Sequence, residues 1–165
     1  MNGVNERGAR PVRPADVLLV CSPGGHLLQL HALAPVWRDH SRVWVTLAKS
    51  DSRSLLRDET VVFAHGPAVR SVSNLLRNLL LAWRVVREVR PKLVLTTGAA
   101  VAVPFAWVGR LHGSRVVYVE SLARTVKPSL SCRLTAPVAN RVYVQWPELQ
   151  AAMPKARYVG SVFGR

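Results

Sequence analysis

The chain has 165 residues, 49% of them hydrophobic and 19% charged, with a formal net charge of +14. That balance suffices for one domain with a real core and excludes wholesale disorder. The longest apolar run, Ala99 to Val108, is broken by Pro104 and falls short of the about 20 residues a spanning helix needs.

Met1 to Pro14 carries Arg7, Arg10 and Arg13 among Gly, Asn and Pro. Lacking an apolar h-region, it is not a signal peptide, and residues 1–14 read as a flexible basic arm ahead of a single domain over 15–165. Val17-Leu18-Leu19-Val20-Cys21 reads as a buried strand. Ser22-Pro23-Gly24-Gly25-His26 ends it, and a Leu-rich helix starts at Leu27. Strand, glycine turn and helix point bare backbone N–H groups at a ligand phosphate. An ordinary βα turn with a solvated His26 fits the same spacing, since two glycines are weaker than a full G-x-G-x-x-G.

Val43 to Leu47 reads as the second strand, Lys49 to Ser52 as a polar loop, and Val61-Val62-Phe63 as the third strand. Ser71 or Ser73 caps a helix running to about Arg90, where Pro91 stops it. Leu93 to Thr96 follows as the fourth strand, then Thr97-Gly98-Ala99-Ala100 and a helix to about Leu111. Val116 to Val119 is the fifth strand, with Glu120-Ser121 at its carboxyl end. A helix over Leu130 to Val138, a sixth strand over Val142 to Val144 ending at Gln145-Trp146-Pro147, and a short strand at Tyr158 to Gly160 complete the chain.

Alternating strands and helices imply an α/β fold, a single Rossmann-like domain with an open, mostly parallel sheet. Ligands of such sheets bind outside the carboxyl ends of the strands. That rule gathers Ser22 to His26, Lys49 to Asp51, Thr97-Gly98, Glu120-Ser121 and Gln145-Trp146. Cys21 and Cys132 follow no CxxC or Cys/His pattern, so two plain thiols in a reducing cytosol are expected and a structural metal site is not.

The charge calls for an anionic partner. In the segment from Val72 to Arg90, Leu75, Leu76, Leu79, Leu80, Trp83 and Val86 make a broad apolar face, while Arg70, Arg77 and Arg84 recur every seven residues on another. A crossover helix packed on the sheet accounts for this pattern. So does an interfacial helix meeting anionic lipid through Leu, Trp and Arg.

The runs Thr97-Gly98 to Val119-Glu120-Ser121, Val144-Gln145-Trp146-Pro147 and Tyr158-Val159-Gly160 resemble the membrane-associated subunit of the split GT-B glycosyltransferases. That family includes the anchoring subunit of the UDP-N-acetylglucosamine transferase of asparagine-linked glycosylation and the bacterial PssD-like exopolysaccharide proteins. The opening Ser-Pro-Gly-Gly-His is similar, more distantly, to the first loop of MurG. The likeness covers roughly residues 16 to 163. It implies the N-terminal half of a GT-B fold, facing the membrane and holding a polyprenyl-diphosphate-linked sugar. A soluble partner chain would bind the UDP-sugar, and the pair would act in oligosaccharide or exopolysaccharide synthesis. The chain's length fits one such half. In place of the hydrophobic anchor of eukaryotic members it has the Arg-rich arm, so attachment to the cytoplasmic face is expected to be peripheral.

On this resemblance, His26 or Glu120 is the candidate base, with turnover requiring both chains and the sugar transferred with inversion. His26 equally fits a diphosphate contact or a loop role, and Glu120 a cap or an arginine partner. Ser22, Gly24, Gly25, Thr97, Gly98 and Ser121 are candidates for the acceptor diphosphate, and Gln145 and Trp146 for the partner chain or site edge. Arg70, Arg77, Trp83 and Arg84 are candidates for membrane contact. No cofactor is expected beyond the UDP-sugar co-substrate, and the absence of an Asp-x-Asp motif agrees with metal-independent chemistry. Two other classes compete: a non-catalytic module recruiting a soluble transferase to the membrane, and a basic nucleic-acid-binding domain. The latter has no RNP, helix-turn-helix or zinc signature. A dinucleotide oxidoreductase is weaker still, for want of the third glycine.

Overall fold

Among the described residues, seven strands run parallel in one open sheet of order β3-β2-β1-β4-β5-β6-β7. They are β1 (Val17–Val20), β2 (Arg42–Leu47), β3 (Val61–Ala64), β4 (Leu93–Thr96), β5 (Arg115–Val119), β6 (Arg141–Val144) and β7 (Arg157–Tyr158). Between them come helices α1 (Gly25–Ala32), α2 (Ala34–Trp37), α3 (Ser50–Leu55), α4 (Val72–Val89), α5 (Ala102–Leu111), α6 (Leu130–Thr135) and α7 (Pro147–Ala152). This computed structural model describes residues 12–66 and 72–164.

β1 is buried along its whole length because both faces of the sheet are covered. With a side-chain period of two, Leu18 and Val20 face one core and Val17, Leu19 and Cys21 the other. On the first face α4 and α5 contribute Ala82, Val85, Val89, Phe105 and Ala106. On the second, Leu27 and Leu30 of α1 join Trp37, Trp44 and Leu56. A smaller cluster of Tyr118, Cys132, Val142, Val144 and Leu149 seats α6 and α7. The chain direction reverses its spread between β1 and β4, so the crevice at their carboxyl ends is the switch point where such folds take ligands.

Several boundaries differ from the sequence reading. Lys49 to Ser52 is not a loop: the Ser52 hydroxyl accepts from Lys49 N and donates to the Leu47 carbonyl, which starts α3 at Ser50. Pro147 opens α7 because its fixed φ suits a first helical position. α6 ends at Thr135, short of Val138, since Pro137 offers no N–H to carry the helical ladder on. β7 occupies Arg157–Tyr158, and Gly160, at φ +103°, turns the chain away. Val12 already packs against the core, ahead of the expected boundary at residue 15, while residues 1–11 lie outside the described residues.

The largest difference is the rotation of α4. Its buried stripe is Asn74, Asn78, Leu81, Ala82, Val85, Val86 and Val89, so of the expected apolar face only Val86 is inside. Asn78 accounts for this: its amide accepts from His65 N at 2.8 Å and donates to the His65 carbonyl at 2.9 Å, pinning the helix to the end of β3. Leu75, Leu76, Leu79, Leu80 and Trp83 consequently face solvent. Ser73 lies within α4 rather than at its cap, and Ser71 lies outside the described residues.

Candidate active site

At the end of β1 the chain turns through Ser22, Pro23 and Gly24 into α1. Gly24 adopts φ +78°, ψ −137°, a conformation open to glycine alone. α1 has no side-chain cap and presents first-turn N–H groups at the switch-point crevice, whereas in the first turn of α5 the Ala102 N–H is spent on the Ala99 carbonyl and Pro104 has none. One of the expected anion contacts is already engaged: Gly24 N donates to the Asp51 carboxylate at 2.6 Å. A Cβ on Gly25 would meet nothing within 4 Å, so the space above it is open to a ligand.

His26 bridges to the loop after β4. Its Nδ1 lies 2.7 Å from the Thr97 carbonyl oxygen, and the Thr97 hydroxyl donates to the His26 carbonyl at 2.7 Å. A carbonyl only accepts, so this network assigns the proton of the neutral ring to Nδ1 and leaves Nε2 with its lone pair. Beside it, Gly98 has φ +100°, and a Cβ there would collide with the Tyr118 hydroxyl. Ala99 follows at φ +75°, a left-handed conformation that costs a non-glycine residue about 1 kcal/mol or more.

Glu120 is fully buried. Its carboxylate accepts from Ser121 N at 2.8 Å, from Ser129 N at 2.7 Å and from the Ser129 hydroxyl at 3.1 Å. One side chain therefore ties both ends of the 121–129 loop, which carries Arg124 and Lys127 on its exposed arch. These bonds give Glu120 an organising job and leave it poorly placed to receive a substrate proton. Tyr118 is buried below the loop, its hydroxyl 3.3 Å from Ser129 Oγ and 3.2 Å from Ser131 Oγ. Burial, helped by the Glu120 charge, pushes its ionisation well above the usual phenol range, so it stays neutral.

Gln145, also buried, donates to Gln29 Oε1 at 2.7 Å and to the Glu120 carbonyl at 2.8 Å, and its own oxygen accepts from Val162 N. Gln29 in turn accepts from Leu122 N and donates to the Gly25 carbonyl. Trp146 donates its indole N–H to the Leu122 carbonyl at 2.7 Å and keeps one face exposed. Ser121 Oγ accepts from Ala123 N inside the same turn.

The structure thus brings His26, Gly24, Gly25, Thr97 and Gly98 together at the crevice. Glu120, Ser121, Gln145 and Trp146 form the adjoining frame, and Ser22 stands half-buried in the first turn. Arg77, Trp83 and Arg84 sit on α4, away from the frame, and Arg70 lies outside the described residues. Sequence reasoning missed Gln29, Tyr118 and Ser129, and it placed Asp51 at the site edge without giving it a role. The one signal for Gln29 was a glutamine on the inward stripe of an otherwise leucine-rich helix. Among the described residues no group of three His, Cys, Asp or Glu side chains gathers as a metal site would, and no helix is long and apolar enough to cross a membrane.

The family profile described as "Oligosaccharide biosynthesis protein Alg14 like" matches residues 64–162. Over 183 aligned residues the chain is 32% identical to the UDP-N-acetylglucosamine transferase subunit ALG14 of Eremothecium gossypii, covering 90% of this chain and 80% of that protein. The Homo sapiens protein of the same name is 31% identical over 98 residues, 56% of this chain and 45% of its own. Among solved structures, Acinetobacter baumannii MurG superposes with a TM-score of 0.71 at 18% identity, over 88% of this chain and 45% of that one. A UDP-N-acetylglucosamine 2-epimerase from Rickettsia bellii gives 0.69 at 12% identity, over 92% and 46%. At those identities the structural likeness is one of fold, and the chain spans just under half of each of the two.

Proposed function

The chain belongs to the Alg14-like family of oligosaccharide biosynthesis proteins, and from that footing we propose that it is the acceptor-binding subunit of a two-chain, UDP-sugar-dependent glycosyltransferase. The observation that carries this reading is the reciprocal His26–Thr97 pair at the β1/β4 crevice, which leaves Nε2 of His26 as an acceptor beside an open glycine turn.

The acceptor is a sugar on a polyprenyl diphosphate. Its diphosphate lies against the first turn of α1, where the helix dipole and unpaired N–H groups favour negative charge. Ser22 and Gly25 line that position with Thr97 and Gly98 buried behind it, and Arg124 and Lys127 supply charge from the arch. The acceptor hydroxyl attacks the anomeric carbon of the UDP-sugar and gives its proton to His26 Nε2. The new C–O bond forms as the bond to UDP breaks, and UDP leaves with the electron pair, its charge met by the partner chain. Glu120, Gln29 and Gln145 hold the frame, and Trp146 meets the partner. No cofactor or metal is assigned a part.

The solvent-facing leucines and Trp83 of α4 support a peripheral seat on the cytoplasmic face of a membrane. Trp107 and Leu111 of α5 and Leu134 of α6 extend that apolar face, with the Trp107 indole donating to the Leu134 carbonyl. Arg77 and Arg84 flank it.

The test is sugar transfer from a panel of UDP-sugars to a polyprenyl-diphosphate sugar, with this chain alone and with its partner. Activity only in the pair, lost by about 100-fold or more in His26→Ala while the pair still assembles, is the expected outcome. Near-normal turnover in that variant removes His26 from the chemistry and leaves a recruiting module.

A further inference from the structure

At the end of the domain opposite the crevice, the C-termini of α4 and α5 enclose a cleft of about 340 Å³ lined by Val86, Arg87, Arg90, Pro91, His112 and Ser114. Two cations at this end are neutralised: Arg42 pairs with Glu59 at 2.7 Å and Lys92 with Asp16 at 2.8 Å. Among the described residues neither Arg87 nor Arg90 reaches a carboxylate. The Ser114 hydroxyl is committed to the Pro91 carbonyl at 2.6 Å. His112 directs Nδ1 at the Val108 carbonyl, so Nε2 is the ring atom left for a ligand. The two guanidinium charges exceed the partial negative charge of about one half at each of the two helix C-termini, so the cleft is net cationic and roomy enough for a tetrahedral anion.

Backbone geometry adds an independent pointer. Arg90 stands just past the end of α4 at φ +50°, a position where glycine is the usual residue and a long side chain is strained. Strain of this kind is kept where the side chain has a task. Beside the cleft, Trp83 packs edge-on against His112 with ring centroids 4.7 Å apart, and Leu80 and Leu111 are 74% and 73% exposed. A soluble phosphate would have no use for that apolar border, whereas a lipid carries both a phosphate and a hydrocarbon tail.

We propose that this cleft holds the phosphate of an anionic membrane lipid, gripped by Arg87 and Arg90, with the acyl chains lying along Trp83, Leu80 and Leu111. The inference rests on the membrane seat proposed above and deepens it, turning a diffuse basic rim into one specific headgroup site.

The experiment is co-sedimentation of the full chain with phosphatidylcholine vesicles, with and without phosphatidylglycerol. Wild type should prefer the anionic vesicles by about 10-fold or more, and Arg87→Gln/Arg90→Gln should lose that preference, each cation near the surface being worth about a factor of five. The control Arg38→Gln/Arg57→Gln removes the same charge from exposed arginines outside the cleft and should leave the preference within about twofold of wild type. An equal loss in the control, or no loss in the cleft variant, overturns the site. Leu80→Ser/Trp83→Ser should abolish binding to both vesicle types; unchanged binding defeats the membrane seat itself, whereas loss there with an intact cleft variant defeats only the headgroup site. Glycerol 3-phosphate titrated by NMR should bind far more weakly than the anionic vesicles, and equal affinity would assign the cleft to a free phosphate and overturn the lipid. Thermal unfolding of each variant shows that the fold is retained.

Discussion

Thr97 and His26 hold each other by two bonds of equal length, ring to carbonyl and hydroxyl to carbonyl, each 2.7 Å. The first fixes the tautomer and the second fixes the backbone that aims the ring. The neutral His26 ring is therefore expected to show the Nδ1–H form by ¹⁵N NMR, and an Nε2–H form would defeat its assignment as base. Thr97→Val keeps the carbonyl and loses only the hydroxyl bond. Turnover of the reconstituted pair should fall by about 10-fold through looser aim, well short of the loss in His26→Ala.

The glycines of the crevice should separate cleanly on substitution. Gly98→Ala meets the Tyr118 hydroxyl in a left-handed conformation and should destabilise the fold by about 2 kcal/mol or more. Gly25→Ala has open space around it, and urea unfolding should show stability unchanged or raised by about 0.5 kcal/mol. Its effect should appear instead as a higher KM for the acceptor, because the added methyl occupies the approach to the backbone.

Glu120→Gln separates framing from chemistry. An amide keeps one accepting oxygen where the carboxylate had two, so one buried N–H is left facing an NH₂ group, at a cost of about 2 kcal/mol. The melting temperature should fall, and limited proteolysis should cut within residues 121–129. A variant with wild-type stability and an intact loop but no turnover would return Glu120 to the list of bases.

Both thiols should be silent in the folded protein. Burial pushes the Cys21 thiol up to about 12, and burial with the Glu120 charge raises Cys132 as well. A disulfide-exchange reagent at pH 8 should label neither residue until denaturant is added, since the thiolate is the reactive form. Prompt labelling of Cys132 would mean that α6 opens readily.

Much of the fold was legible because β1 and β4 are short apolar runs closed by Gly-containing turns, and the α/β alternation leaves few arrangements. The crevice residues followed from the same rule. Two things were hidden. The rotation of α4 was misread because leucine counting favours the wrong stripe; the deciding residue is Asn78, whose amide matches the His65 backbone, and no local pattern marks that pairing. The frame of Gln29, Glu120, Ser129 and Gln145 joins residues as far apart as 116 positions, so only the folded chain reveals it.

The Asp51 carboxylate at Gly24 N has a consequence for selectivity. An anion entering the turn finds a resident negative charge and must trade places with it. For chloride or another singly charged ion the trade is close to even, one charge for one. A diphosphate brings additional charge and further oxygens, which the first turn of α1 can use after the exchange. In the proposed complex the turn acts as a small ion exchanger set against weak competitors, and Asp51→Asn should bind simple anions more readily while discriminating less well between them and the acceptor.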